Sequence, residues 1–380
     1  MNIRLFKPSV GKEELAELRK VIDLSWLGLG EKVNEFEDSW SKKFNFKSSI
    51  GVNSATAALH MALASFNFKR GSEVLVPSMT FASTATSVLY NGLKPIFVDI
   101  DPNTMVIDNH DLLKKITSKS VGIIPVHYGG EPCKMDEIIS IASDKNLKVI
   151  EDCAHTQGGK YLGKELGRWG DIGCYSFEEK KGMTTGDGGM LCSDDVELIK
   201  PIKSMRWVGI DKDTWKRKVN DTKLSSKHWF YEISLLGYKY NMNNVAAAIG
   251  IAQLKKLDLF NFNKTNIIKA YLSGLENIKG IDALLPYSNI QDGVGSYWLF
   301  GVKLKKRDQL ISFLSKKGIS TGVHFTPLNQ QPLFYDAYGT TPKAESMYKK
   351  ICTLPLHPDL KEEEVCYVLE ALSTFSNKYL

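Results

Sequence analysis

Between residues 48 and 194 short apolar runs alternate with helical patterns, and this alternation restricts the fold more than any other feature of the chain. Ile50-Gly51-Val52 precedes the helix-like Ala57-Ala58-Leu59-His60-Met61-Ala62-Leu63, and Val74-Leu75-Val76-Pro77 precedes a helical pattern over 82–89. Pro95-Ile96-Phe97-Val98-Asp99, Val121-Gly122-Ile123-Ile124-Pro125-Val126 and Lys148-Val149-Ile150-Glu151-Asp152 follow. Met135, Ile138, Ile139 and Ala142 recur at i, i+3, i+4 and i+7, one face of a helix between the last two runs. Strand, crossover helix, strand predicts an α/β fold with a mostly parallel sheet covered on both faces. Residues 174–177 and 189–192 read as two further short strands.

Beyond residue 194 the rhythm changes. Residues 204–230 carry many lysines, tryptophans and polar side chains and read as a long surface loop, a kind of segment that is usually functional or flexible. A strong helical pattern returns over 244–257, and residues 297–304 and 308–317 read as a strand and a helix. The chain divides on this reading into a large domain, 1–251 with the N-terminal arm included, and a smaller C-terminal domain, 252–380, joined by a long helix. A length of 380 residues, 43% hydrophobic, supplies material for two cores.

Composition excludes several classes of function. The six cysteines, at 133, 153, 174, 192, 352 and 366, form no C-x-x-C pair, so neither a disulfide framework nor a zinc site is supported and no metal is expected. The net charge of +6 is modest, and Lys and Arg are spread along the chain, which favours an anionic small molecule over nucleic acid. Residues 1–10 lack a signal-peptide layout and no apolar run is long enough for a bilayer, so a cytoplasmic protein is expected.

Ligands collect at the carboxyl ends of strands in an open parallel sheet, and four clusters fall there. Asn53-Ser54-Ala55-Thr56 is either a phosphate seat at a helix N-terminus or a plain Ser/Thr cap. Glu151-Asp152-Cys153-Ala154-His155 ends a strand in two acids; a carboxylate there can keep a ring nitrogen protonated or simply be solvated. Phe81, in Pro77-Ser78-Met79-Thr80-Phe81-Ala82, can stack on a heteroaromatic ring or join the core. In Cys174-Tyr175-Ser176-Phe177-Glu178-Glu179-Lys180-Lys181 one lysine can attack a carbonyl compound, or both can be surface charge. The following Gly186-Asp187-Gly188-Gly189 lacks dinucleotide spacing, and no P-loop pattern occurs. A phosphate seat, a ring partner, a stacking ring and a nucleophilic amine together meet the needs of pyridoxal 5'-phosphate.

The motifs N-S-A-T-A-A-L-H, E-V-L-V-P-S-M-T-F-A-S-T, I-I-P-V-H-Y-G-G, K-V-I-E-D-C-A-H, K-K-G-M-T-T-G-D-G-G-M and G-I-S-T-G-V-H-F-T-P-L run in the order of one family, and the chain resembles the DegT/DnrJ/StrS sugar aminotransferases over nearly its whole length. The resemblance implies the PLP-dependent transferase fold type I: a large domain with a mostly parallel seven-stranded sheet between helices, and a smaller C-terminal α+β domain. Aligned on Ser176-Phe177, the Schiff-base lysine falls on Lys181 and Lys180 becomes a variable position. Asp152 then pairs with the pyridine nitrogen, Phe81 stacks on the ring and His155 flanks it, while Ala55, Thr56 and Ser176 hold the phosphate. Lys239 stands where many members carry an Asn that reaches the neighbouring subunit's cofactor, which implies a homodimer with shared sites. Alanine at 55 replaces a common glycine and needs a negative φ. Asn329 replaces a common histidine, and Glu178 and Glu179 are unusual.

The implied reaction transfers an amino group from an amino acid, by analogy glutamate, to C-4 or C-3 of a nucleotide-linked deoxy-keto-sugar. Lys181 would act as both carrier and proton-transfer group. His324 and the basic loop with Trp207, Trp215, Lys216, Arg217 and Lys218 are candidates to cover the nucleotide, the loop being alternatively a solvated subunit contact. A free keto-sugar or keto-cyclitol as acceptor, and a non-catalytic PLP-binding sensor, stay open as other readings. Sugar deoxygenation on the same fold uses a histidine in place of the lysine, and Lys181 argues against it.

Overall fold

A computed structural model describes residues 1–210, 231–290, 295–335 and 339–380. The strands in chain order are β1 (Ser48–Val52), β2 (Glu73–Pro77), β3 (Lys94–Val98), β4 (Ser120–Ile123), β5 (Lys148–Asp152), β6 (Lys160–Tyr161), β7 (Lys164–Glu165), β8 (Ile172–Ser176), β9 (Gly189–Ser193), β10 (Asp282–Ala283), β11 (Phe300–Lys303) and β12 (Ile351–Leu354). Seven of them form one sheet in the order β1-β9-β8-β5-β4-β2-β3. β9 runs antiparallel to both neighbours, and the remaining pairs are parallel. All seven runs expected for the sheet therefore lie in it.

The strands read as continuous apolar runs because both faces of the sheet are covered. Val74 and Val76, Ile150, Cys174 and Leu191 pack into one layer with Ala58, Leu59 and Ala62 of the helix Ala55–Ser65. Their alternates Leu75, Val149, Tyr175, Met190 and Cys192 pack into the other with Phe36, Trp40, Met135 and Ile138. Five cysteines are buried and Cys366 is exposed.

The helical pattern at 244–257 continues further than expected, as one helix from Asn244 to Leu275. Polar residues 255, 256, 258, 261 and 263 interrupt the apolar series, yet Phe260, Ile268, Tyr271 and Leu275 keep its inner face buried. The expected division at 251/252 falls inside this helix. Its first half packs on the helices Lys12–Leu24 and Glu31–Phe44. Its second half carries Tyr271, stacked at 4.6 Å on Phe300 of the antiparallel β10-β11-β12 sheet. The N-terminal arm, expected with residues 1–251, lies along the C-terminal region: Ile3 bridges Ile319, and the amide of Leu356 donates to Leu5 O at 3.0 Å. An extended arm must find backbone partners somewhere, and the connections at Gly318, Ser320 and Leu356 supply them.

The expected surface loop at 204–230 is corrected at its start. Met205 ends the helix Val196–Met205, and Arg206 is 1% exposed, with its guanidinium bonded to Glu37 and, at 2.8 Å, to Gly51 O. The alternation of charge there hides a buried ion pair that ties helix Glu31–Phe44 to β1. Residues 211–230, with Trp215, Lys216, Arg217 and Lys218, lie outside the described residues.

Candidate active site

β5 ends in Glu151 and Asp152, and strand alternation sends them to opposite faces. Glu151 is fully buried on the Val149 side, where its carboxylate accepts from the amides of Gly167 at 2.8 Å and Gly170 at 2.7 Å and from His127 Nε2 at 3.1 Å. His127 Nδ1 accepts from the amide of Cys133 at 3.1 Å, so its proton sits on Nε2 and the imidazole donates to Glu151. Cys153 adjoins this pair, but the polar atoms of the pair are engaged within the protein and brace the sheet end. Asp152 faces the other way, into a cavity of about 390 Å³. The resemblance implied Asp152 for this place, and the structure turns Glu151 away from it.

Asp152 is 4% exposed and accepts from Thr84 Oγ1 at 2.8 Å and from the amide of Ala154 at 3.1 Å. No lysine or arginine among the described residues ion-pairs with it, and burial pushes its carboxyl pKa up. A cation brought into the cavity would relieve that cost.

The cavity is lined by Ala55, Thr56, Phe81, Asp152, His155, Ser176, Lys181 and His324, so eight of the expected site residues converge. Ala55 begins the helix Ala55–Ser65 with a negative φ, as a phosphate seat there requires, and Ser54 caps it through the amide of Ala57 at 3.1 Å. The Thr56 and Ser83 hydroxyls lie 2.6 Å apart. Ser176 closes β8 beside them. Gly189, paired with Ser176 across β8 and β9, explains part of the glycine run: a Cβ there would lie 2.6 Å from Ser54 C and O and 2.7 Å from Ala55 N. Gly186 serves differently, turning the chain at φ +85. Gly189→Ala is expected to cost about 1–3 kcal/mol of stability and to weaken anion binding at the helix start. Chemical denaturation and phosphate titration of the variant would measure both, and unchanged values in both would refute the contact.

Lys181 reaches the cavity with its Nζ 4.0 Å above the Trp298 indole. Burial, helped by the neighbouring Lys180, pushes its pKa down to about 8 against the opposing pull of Glu178 and Asp152. Lys180 is turned outward, with a side chain 57% exposed. Its carbonyl accepts from Trp298 Nε1 at 2.8 Å and its amide donates to Glu178 Oε2 at 3.0 Å. The unusual Glu178 thus caps the turn that presents Lys181.

His155 is sandwiched edge to face with Tyr128 and flat on Trp298, ring centres 4.2 Å apart. The amide of Gly129 donates to its Nδ1 at 3.3 Å, so the proton is on Nε2, and burial keeps the ring neutral. Burial also holds His324 down to about 4, so its ring is neutral near neutral pH, and it hydrogen-bonds Thr353 Oγ1 at 2.8 Å. Phe81 is 59% exposed over the opening, 6.2 Å from Phe325, an apolar face that a bound ring would cover. Asn329 bridges Thr341 at 2.9 Å and Glu345 at 2.7 Å and holds local structure.

Lys239 does not line this cavity. Its Nζ lies 3.8 Å over the Trp207 ring and 2.6 Å from Asn241 Oδ1, exposed beside the end of β1. Trp298, Phe325 and Thr84 are the residues that sequence reading missed. Trp298 lay in a strand pattern, and Thr84 and Phe325 lay inside family motifs, but no role was attached to any of them and no spacing signal ties them to Lys181 or Asp152.

A family model described as DegT/DnrJ/EryC1/StrS aminotransferase family matches residues 8–373. The spore coat polysaccharide biosynthesis protein SpsC of Bacillus subtilis is 34% identical, over 96% of this chain and 95% of that one. GDP-perosamine synthase of Escherichia coli O157:H7 is 31% identical over 98% of each. Among solved structures, Spr1654 of Streptococcus pneumoniae in its PLP form superposes with a TM-score of 0.91 at 27% identity, over all of both chains.

Proposed function

We propose, for a chain that belongs to the DegT/DnrJ/EryC1/StrS aminotransferase family, that it moves an amino group from glutamate to the C-4 or C-3 keto group of a nucleotide-linked deoxy-sugar, for cell-surface polysaccharide or glycoconjugate synthesis. The enzyme is a PLP-dependent sugar aminotransferase by that membership. Similarity to SpsC and to GDP-perosamine synthase supports the sugar-nucleotide acceptor. The observation that carries the reading is a desolvated amine at Lys181 and a desolvated, unpaired carboxylate at Asp152 facing one cavity.

The residues present fit pyridoxal phosphate. When bound, it supplies an aldehyde for amine exchange and a ring that takes up electron density. Asp152, buried and lacking a cation, is the partner for a protonated ring nitrogen. The Ala55 and Thr56 amides, with the Ser176 hydroxyl, are the donors for the phosphate. Phe81 and neutral His155 would flank the ring. Lys181, with a pKa near 8, holds or gives up a proton at its Nζ near neutral pH, which suits a residue that carries a proton between substrate and cofactor carbons. Trp298 beneath it, and Phe325 on the same cavity wall, exclude water. Incubation with glutamate and a panel of nucleotide-linked 3- and 4-keto sugars, read by mass spectrometry, tests the assignment. An amine product on a free keto-sugar or keto-cyclitol alone would overturn the nucleotide.

Lys239, outside its own cavity, is proposed to reach the phosphate of a second copy's cofactor in a homodimer. Mixing Lys181→Ala and Lys239→Ala chains is then expected to restore activity in heterodimers that neither variant has alone. No recovery after verified subunit exchange would refute the shared site.

A further inference from the structure

We propose that Lys264 is a positioning residue for Lys181, acting on its nitrogen through the placement of Trp298. Lys264 projects from the helix Asn244–Leu275, is 3% exposed, and donates to Tyr297 O at 2.8 Å. Tyr297 precedes Trp298, the indole that lies under Lys181 Nζ and holds the Lys180 carbonyl. Lys264 also shares with Lys181 a small cavity, with room for about one water, whose walls include Gly182, Trp298, Phe6 and His357. A Cβ on Gly182 would lie 3.5 Å from Lys264 Nζ and 2.3 Å from Gln157 Oε1, a buried acceptor with no donor among the described residues. The ammonium therefore sits against the backbone that follows Lys181.

The groups facing this cavity are cationic or neutral. Lys7 and Lys180 stand at its rim, Lys7 paired at 3.3 Å with Asp359, and His357 is held neutral by burial. Among the described residues no carboxylate lines the cavity and none ion-pairs with Lys264. A buried lysine with a single carbonyl partner costs stability that a methionine would not. Burial pushes its pKa down to about 7, and as an ammonium or as a neutral amine it still has a proton to donate to Tyr297 O. That bond keeps Trp298 against Lys181, and the water the indole excludes is part of the burial that lowers the proton affinity of the Lys181 nitrogen.

This inference rests on the reading that Lys181 holds the cofactor, which borohydride trapping followed by peptide mapping tests separately. The absorbance of the cofactor-loaded enzyme, titrated with pH in the absence of substrate, reads the proton affinity of the Lys181 nitrogen. Lys264→Met, which loses the donor to Tyr297 O, is expected to raise that midpoint by about one pH unit, and Lys264→Gln, which keeps a donor, to stay nearer the wild-type value. A wild-type midpoint in folded Lys264→Met overturns the positioning role. If Lys264→Met fails to fold, Trp298→Phe is expected to raise the midpoint in its place, and a wild-type midpoint there overturns the role. Thermal unfolding separates a shifted midpoint from general loosening.

Discussion

Lys181→Ala is expected to lower turnover by about 10⁴-fold or more, since the variant loses both the covalent handle and the proton-transfer group. Stopped-flow absorbance of the glutamate half-reaction measures it. Lys181→Arg gives no rescue, because a guanidinium does not release its proton near neutrality. Activity within tenfold of wild type, or a borohydride-labelled peptide that lacks residue 181, would remove the basis for the mechanism. The same residue leaves a mark on stability. Its pKa is about 8 in the folded, cofactor-free protein against an ordinary 10.5, so between these values the unfolded chain carries the extra proton. Stability therefore gains from this group as pH rises across that window, and Lys181→Ala loses that part of the slope in pH-dependent denaturation.

Asp152→Asn is expected to reduce turnover by about 10²–10³-fold, the range seen when a preorganised electrostatic partner is removed. It also separates two states of the protein by stability. Without cofactor the Asp152 carboxyl pKa is raised by burial, so the folded state keeps a proton that the unfolded chain has released. Its contribution is present at low pH and lost as pH rises through the folded value. At neutral pH the cofactor-free Asp152→Asn protein is therefore expected to melt above wild type, while the gain in Tm on adding cofactor shrinks. Undiminished turnover in Asp152→Asn would mean that another group holds the ring nitrogen.

The strands were legible because a sheet buried on both faces writes each of them as an unbroken apolar run, and the crossover helices as a 3.6-residue series. The motif resemblance singled out Asp152 and Ser176. The turn at 53–56 and the Glu151-Asp152 pair were legible because a helix start and a strand end mark them in the chain. The helix beyond residue 257 was not, because Lys264 and Thr265 look solvated in sequence and are buried in the structure. Arg206 misled in the same way. A buried charge is recognised by its partner, here Glu37, and the partner lies far away in the chain. Trp298 shows the limit most clearly: as sequence it is one more aromatic before β11, and in space it is the surface on which His155 and Lys181 rest.

Local patterns, by themselves, determined the α/β architecture, the strand ends where chemistry gathers, and, through motif resemblance, the choice of Lys181 over Lys180. Those features depend on neighbours a few residues apart, which periodicity and turn chemistry record. The tertiary structure alone decided that Glu151 braces the sheet end away from the cavity, that Trp298 and Lys264 sit behind Lys181, and that Lys239 lies outside its own site. Each of these depends on the close approach of segments far apart in the chain, and the desolvation that tunes their charges exists only once those segments have packed.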